Sequence, residues 1–493
     1  MRRVGMDRFR LVISLDRNVR EQGEGAPFEP HASTSDYDLL YPSISKQRWS
    51  SAPWARRLGG FAERSSYGLV PTLVGLPLLV SIFAHVYFQM FSTLHIFLAI
   101  VWIGLPVATI SILVTLASRS LSNRSCNSST RSDKIKAIVL LALTCTVAWR
   151  TFTVSPRRGL SDFSGAPANN ETTYIAANLY NSEHLFPAFS DSLLELVDHL
   201  GRDNVYVSIY ESNSEDRTKQ LLSLLEHDLQ LRGVQNSIRM LDNTRRQDMD
   251  RIERLAIIRN EALNPIQAGV HGLHGRPFSK VIWLNDIFFR PESVLELLAT
   301  NEGHFDQVCA LDYLPLGFYD TWVMRDVQRN RPTPLWPYFK LEQDIASLRR
   351  GDVIPVNSCW NGITIFDAKW FLPTGKDGND SSTNAGVDDG PIRFRTHPQC
   401  LASECLLPSY DIHVRSRRRP LIFVNPKAVA TYQWRDHLMY DWVMRSNIVN
   451  LWSRIWQDLI SHSLFGFVVE LGRKKDDCEE VMRSGWKPAP TEP

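Results

Sequence analysis

The chain has 493 residues, 44% hydrophobic and 22% charged, with a formal net charge of +2. That is two or three domains' worth of sequence, with ample apolar material for a core. The near-neutral balance leaves no electrostatic footprint for nucleic acid, and seven cysteines without a C-x-x-C pair leave no cysteine/histidine zinc framework.

Residues 1–66 are polar, rich in Arg, Ser and Pro, and lack periodicity, so they are expected to be disordered and cytosolic. Two uncharged runs follow, YGLVPTLVGLPLLVSIFAHVYFQMF (67–91) and STLHIFLAIVWIGLPVATISILVTLAS (92–118). Each is long enough to cross ~30 Å of hydrocarbon as a helix. A third, KAIVLLALTCTVAWR (136–150), spans if it continues through Phe152 and Val154, and is otherwise a core or interfacial helix. About three transmembrane helices are therefore expected, near 68–91, 94–117 and 135–154.

The positive-inside rule orients them. Arg56, Arg57 and Arg64 precede the first run, and Arg119, Arg124, Arg131, Lys134 and Lys136 lie between the second and third. Both segments read as cytosolic, so everything after about residue 155 is expected in a lumen. The sequons at Asn170 and Asn379 fall on that lumenal side; those at Asn123 and Asn127 fall in the cytosolic loop and are expected to stay unmodified. An oxidising lumen would let some of Cys309, Cys359, Cys400, Cys405 and Cys478 pair, with Cys400–Cys405 as one small loop.

The segment 155–437 reads as one α/β domain. Strand patterns at 174–181, 204–212, 237–241 and 281–284 alternate with helix patterns at 186–201, 214–233 and 246–265. This predicts a mostly parallel sheet with flanking helices, whose ligands bind beyond the carboxyl ends of the strands. Polar residues collect there. The strand at 204–212 ends in Glu211 and Ser212, KVIWLNDIFFR (280–290) carries Asn285 and Asp286 after its apolar run, and the helix at 246–265 presents Arg251, Arg254 and Arg259. A strand-end carboxylate beside arginines suits a diphosphate neutralised by Mg²⁺ or Mn²⁺. From local sequence alone, a helix-capping Asp286 and a solvated arginine face fit equally well.

A resemblance separates the two. YESNSEDRT (210–218), RIERLAIIRNEAL (251–263), VIWLNDIFFRPESVLELL (281–298), CALDY (309–313), FYDTWVMRD (318–326), PVNSCWNGITIFDAKWF (355–371) and CLASECLLPSYDI (400–412) occur in the order found in the fungal capsule-associated mannosyltransferases, the family named for cryptococcal α-1,3-mannosyltransferase. The similarity covers about residues 172–435. It implies a GT-A-like fold, GDP-mannose as donor, Mn²⁺ or Mg²⁺, a glycan acceptor and a multi-pass Golgi or ER membrane location with the catalytic domain lumenal.

Carried over residue by residue, Leu284-Asn285-Asp286 stands where GT-A enzymes have D-x-D, with one carboxylate instead of two, and Asp286 is the implied metal ligand. Tyr210, Glu211 and Ser212 would lie by the nucleotide. Arg251, Arg254, Arg259 and Asn260 would face the donor. Tyr319, Asp320, Trp322, Arg325 and Asp326 would line the sugar and acceptor groove with Trp360, Asn361 and Gly362, and Glu404 and Asp411 would flank its far side. Asp320 and Glu404 join Asp286 and Arg259 as catalytic candidates. Each has a plainer role available: core aromatics for Trp322 and Trp360, turn caps for Asp320 and Asp326. His413 and His437 are expected to be structural.

The implied reaction is mannosyl transfer, α-1,3 with retention, since GDP-mannose is itself α-linked. A catalytically inactive, membrane-tethered glycan-binding or assembly factor is the alternative. Segment 375–391 is acidic and Gly-rich and reads as a surface loop, and 438–493 reads as amphipathic helices with a polar tail.

Overall fold

The computed structural model describes residues 97–121, 131–153, 158–163, 171–241, 249–314, 317–334, 336, 338–373, 390–452 and 478–488. The apolar run at 67–91, the segment 1–66, all four sequons and nearly all of the 375–391 loop lie outside the described residues.

Two helices are long and apolar enough to cross a membrane, Phe97–Ala117 and Ser132–Phe152. They overlap helix α1 (Leu105–Leu121, entered through a π-turn at Ile100–Gly104) and α2 (Arg131–Phe152). The two run antiparallel. Thr109 Oγ1 meets Thr144 Oγ1 at 2.8 Å, and seven residues away on each helix Trp102 Nε1 donates to Thr151 Oγ1 at 2.9 Å. Small buried residues at the contact, Ala108 and Ala137, let the backbones approach. Two candidate spans thus stand where three were expected, the third run among them and the first outside the described residues.

The domain follows. Its elements in chain order are β1 (Thr172–Leu179), α3 (Ala188–Leu200), β2 (Val205–Ser212), α4 (Thr218–Leu231), β3 (Gln235–Leu241), α5 (Arg251–Ala268), β4 (Gly272–Leu273), β5 (Arg276–Leu284) and α6 (Pro291–Leu298). Then come β6 (Gln307–Leu314), β7 (Gly317–Phe318), β8 (Arg325–Asp326), α7 (Glu342–Arg350), β9 (Ile354–Ser358), β10 (Ile363–Asp367), α8 (Leu406–Arg415), β11 (Ile422–Thr431), α9 (Trp434–His437), α10 (Asn447–Trp452) and α11 (Glu479–Met482).

The strands form one sheet in the order β3-β2-β1-β5-β10-β6-β11-β9-β8, with β4 on β5 and β7 on β6. The first four are mutually parallel, as the strand–helix alternation requires. Beyond β5 the pairing turns. β10 is antiparallel to both β5 and β6, and β11 is parallel to β6 but antiparallel to β9. The sheet is therefore mixed, which corrects the expectation of a mostly parallel one. β10 follows β9 after only Cys359–Gly362 and runs the same way as β9, so it enters between β5 and β6 antiparallel to both.

Both faces are covered, which is why the parallel strands read as continuous apolar runs rather than alternating ones. Ile175, Ala177 and Leu179 of β1 pack with α3, α4 and α6, while Tyr174 and Ala176 pack with α5 and α8 on the other face. A third cluster, including Leu311, Phe318, Met324, Ile345 and Val424, fills the antiparallel half. Helix α5 starts at Arg251, five residues later than the expected 246, with Asp250 as its cap accepting from the Ile252 N–H at 2.8 Å.

Disulfides join Cys309 to Cys359 and Cys400 to Cys478, leaving Cys145 and Cys405 free among the described cysteines. The Cys400–Cys405 loop does not form. Cys405 is buried, and the C-terminal turn at Cys478 brings its Cα within 5.5 Å of that of Cys400. That turn packs down with Met482 and Trp486, the latter edge-on to His413 at 4.9 Å.

Candidate functional site

Strand order decides where a ligand can enter. The chain runs outward from β1 to β2 and β3, then returns to place β5 on the other side of β1. The connections diverge between β1 and β5, opening a crevice beyond their carboxyl ends. β5 ends at Leu284, so Asn285 and Asp286 emerge into that crevice.

The two neighbours have different fates. Asn285 is tied down: its N–H donates to Gly362 O at 2.9 Å, and its Oδ1 accepts from Trp360 Nε1 at 3.1 Å. Asp286 stays exposed to solvent. The protein around the cleft still strips part of its hydration, which raises its pKa, partly opposed by its own backbone hydrogen bond and by the charges of Arg259 and His184. It is a carboxylate on the floor of a cleft.

Arg259 lies beside it. Its guanidinium stacks over Trp360 at 4.8 Å, Trp283 at 5.5 Å and Phe394 at 5.8 Å, and its Nε donates to Glu404 Oε1 at 3.2 Å. Burying a cation among aromatic faces is tolerable when a carboxylate pairs it, and Glu404 is itself nearly buried. Asn260, next in sequence, is fully engaged elsewhere: its amide donates to Phe394 O at 2.8 Å and accepts from the Phe394 N–H at 2.9 Å. On the same helix Arg251 is exposed and Arg254 half-buried.

At the end of β2, Glu211 is buried. Its Oε1 accepts from the Ser214 N–H at 2.6 Å, while its Oε2 has no hydrogen-bond partner. Ser212 is buried beside it, and Tyr210 lies under Arg239, 5.6 Å from guanidinium to ring.

A second carboxylate cluster lines the crevice from the antiparallel half. Asp312 on β6 accepts from Tyr432 Oη at 2.7 Å and from the Asp320 N–H at 3.2 Å. Asp320 accepts from the N–H groups of Val323 at 3.0 Å and Asn361 at 3.2 Å. Burial, and for Asp312 also the charge of Asp320, pushes both pKa values up, Asp312 to about 8, so the pair retains a proton near neutrality. Tyr319 stands at the rim, half-exposed, with its ring edge-on to Tyr432 at 4.9 Å. Asn361 and Gly362 take positive φ, 47° and 75°, in the turn that brings their backbone between β5 and β6. A Cβ on Gly362 would lie 3.1 Å from Ala430 Cβ and 3.4 Å from Asp312 Cβ.

The remaining candidates divide between scaffold and rim. Trp360 is buried within the aromatic group of Trp283, Phe366 and Phe394. Trp322 is half-buried, and its carbonyl accepts from Arg325, which is itself buried. Asp326 closes a turn on Gln328 and Asn330. Asp411 pairs with Arg395 at 2.5 Å. His413 is neutral and structural: Nε2 faces Asn357 O at 3.0 Å and Nδ1 accepts from the Lys487 N–H at 3.2 Å, fixing the Nε2–H tautomer, and burial pushes its pKa down to about 3. His437 sits against Phe288 and Trp434.

The structure thus brings together Asp286, Arg259, Glu404, Asp320, Asn361 and Gly362 around one crevice. Asp312, Tyr432 and His184 belong to it too and were not singled out from sequence. Asp312 was within reach, in CALDY. Tyr432 and His184 carry no sequence signal.

Among the described residues no group of three or more His, Cys, Asp and Glu is placed to hold a metal ion by itself. The donor set still fits a divalent cation of the Mg²⁺ or Mn²⁺ kind, which commonly binds through one or two carboxylates, with substrate phosphates and water completing its shell.

Residues 172–411 match the family model described as Cryptococcal mannosyltransferase 1. No curated protein matches the chain. Among solved structures, S. aureus TarS is similar at 14% identity and TM-score 0.31, over 58% of this chain and 40% of that one. A mannosyltransferase from Pyrobaculum calidifontis, solved with GDP-Man and Mn²⁺, is similar at 12% identity and TM-score 0.28, over 59% of this chain and 63% of that one. Glucosyl-3-phosphoglycerate synthase from Mycobacterium tuberculosis is similar at 19% identity and TM-score 0.21, over 32% of this chain and 50% of that one.

Proposed function

We propose, from the premise that residues 172–411 carry the cryptococcal mannosyltransferase domain, that the chain is a membrane-anchored glycosyltransferase moving mannose from GDP-mannose to a glycan acceptor. The observation that carries this is Asp286, exposed on the crevice floor at the switch between β1 and β5, within the field of the buried Arg259. The nucleotide would lie along the ends of β1 and β2, near Glu211 and Ser212.

Asp286 would hold a divalent cation, which when bound neutralises the diphosphate and eases its departure. Arg259 contributes a cation pre-fixed by Glu404 and three aromatic faces, so little reorganisation is needed as charge develops on the leaving group. In the transfer, the bond from the mannose anomeric carbon to the diphosphate oxygen breaks and one to the acceptor oxygen forms. The acceptor's proton leaves on the diphosphate. Asp320 and Asp312 face that acceptor side and fix its polarity, with Tyr432 holding Asp312 in place. Retention with α-1,3 linkage is our reading of the product. The two disulfides agree with a lumenal, oxidising location.

The decisive test is calorimetric titration of the full chain with GDP, with Mn²⁺ and with EDTA, for wild type and Asp286→Ala. Mn²⁺-dependent binding lost in the variant supports the reading, with UDP as competitor to fix the donor class. No binding of either nucleotide to folded protein sinks it. Binding without turnover in any membrane preparation would favour the inactive glycan-binding factor, which the single carboxylate at Asn285-Asp286 also suits.

A further inference from the structure

The segment after β11 links the crevice to the apolar helices. At its start, Thr431 pairs with Phe288, two residues beyond Asp286, and the rings of Trp434, edge-on, and His437, tilted, lie against the Phe288 ring, each 6.1 Å away. Arg290, at the start of α6, ties the middle of the segment down through Asp441 at 3.4 Å. At its end, Ser446 Oγ donates to the carbonyls of Arg150 at 3.1 Å and Thr151 at 2.9 Å, and the Asn447 N–H donates to Thr153 O at 3.0 Å. Those carbonyls are the unpaired last turn of α2. Val443, Ile448 and Val449 then pack with Leu98, Phe97, Val101 and Val147 where the two apolar helices meet the domain.

The bracket is short. Trp434 to Ser446 is twelve residues of helical turns, about 18 Å at ~1.5 Å per residue. The crevice mouth is therefore held within roughly 20 Å of the domain-side ends of both candidate spans. Large apolar side chains stand open along this surface, Trp434 59% exposed and Leu438 50%, and on α2 Trp149 66% and Phe152 76%, with exposed Gln433, Arg435 and Arg150 among them. Exposed aromatics at a helix end, with Arg150 beside them, mark a membrane–water interface. Trp434 and Leu438 continue that band to the edge of the crevice. A water-soluble acceptor needs no such rim. An acceptor on a lipid does, because its sugar must stay at the bilayer surface while it reacts.

We propose that the acceptor sugar is carried on a lipid, and that Trp434 and Leu438 rest on the bilayer interface and admit it to the crevice from the membrane side. This rests on the transferase reading and on the two apolar helices spanning. The bond changes are those already given, with the acceptor hydroxyl supplied by a glycolipid head group.

The test incubates membranes holding the full chain with radiolabelled GDP-mannose and partitions the product between chloroform–methanol and water. Label in the lipid extract is expected, falling roughly tenfold in Trp434→Ser/Leu438→Ser, with GDP affinity within about twofold of wild type. Label confined to water-soluble glycan, or a double variant as active as wild type, overturns the proposal. Label in neither fraction, with GDP still bound, overturns the transferase reading and this proposal with it; absence of GDP binding by folded wild type overturns both at the earlier step, whereas GDP binding with label only in water-soluble glycan overturns this proposal alone. Independently of activity, a nitroxide on Leu438→Cys in nanodiscs, after subtraction of the signal from the parent's own thiols, is expected to relax more with lipid-soluble oxygen than with a water-soluble nickel chelate. The reverse order overturns the membrane-facing rim.

Discussion

The four parallel strands β3, β2, β1 and β5 and the strands β10, β6, β11, β9 and β8 share one sheet but treat polar groups differently. In the parallel half the polar residues nearest the crevice sit at strand ends, Glu211 and Ser212 closing β2 and Asn285 and Asp286 following β5, while Ser208 and Lys280 are buried within the strands and bonded to backbone carbonyls. In the antiparallel half more of them are drawn inside, with Asp312, Arg325, Asn357, Asn361 and Thr364 all buried and bonded to backbone or to neighbouring side chains such as Tyr432, Arg419 and Gln307. Polar groups held inside a sheet have to be satisfied there, and each bond they make fixes one arrangement.

That contrast can be broken at the seam, where Arg259 of the first half meets Glu404 of the second. Glu404→Ala leaves a buried guanidinium uncompensated and is expected to lower unfolding stability by about 3–5 kcal/mol in urea titration, whereas removing both charges with Arg259→Leu/Glu404→Leu restores much of it. A Glu404→Ala protein as stable as wild type would mean the guanidinium is hydrated.

The antiparallel half is also stapled. Cys309→Ala/Cys359→Ala opens a 50-residue loop and is expected to cost about 2–4 kcal/mol, read as a fall in melting temperature, with GDP binding retained because the nucleotide strands lie in the other half. Loss of GDP binding would show the halves are not separable.

A smaller effect is expected at the turn. Gly362→Ala must hold φ near 75° and push on Ala430, for about 1–3 kcal/mol.

Two effects on pH dependence have opposite signs. Asp312 has a raised folded pKa, so the unfolded chain releases its proton first, and stability falls as pH rises from about 4 towards about 8. His413 has a depressed one, so the unfolded chain binds a proton the fold refuses, and stability falls as pH drops from about 6.5 towards about 3. Asp312→Asn should flatten the first slope and His413→Gln the second, in melting curves across pH; an unchanged slope in either variant would assign it to another group.

Much of the parallel half was legible residue by residue. The strand at 204–212 and the helix at 246–265 fall within a few residues of β2 and α5, and the place of Asp286 followed from where an apolar run stopped. The antiparallel half was legible only as motif blocks. Its strands are short, β7 and β8 have two residues each, and no period is readable in so few positions.

By itself, the sequence determined the apolar helices, the α/β order of the first half and the chemistry at the end of β5, because local periodicity and an abrupt change from apolar to polar act over neighbouring residues. The tertiary structure alone decided the reversal of strand direction, which cysteines pair, that Asn285 turns to Trp360 while Asp286 faces the crevice, and that Tyr432 and Asp312 meet across 120 residues. Each of these depends on which distant segments lie side by side, and contacts of that separation leave no mark in the spacing of residues along the chain.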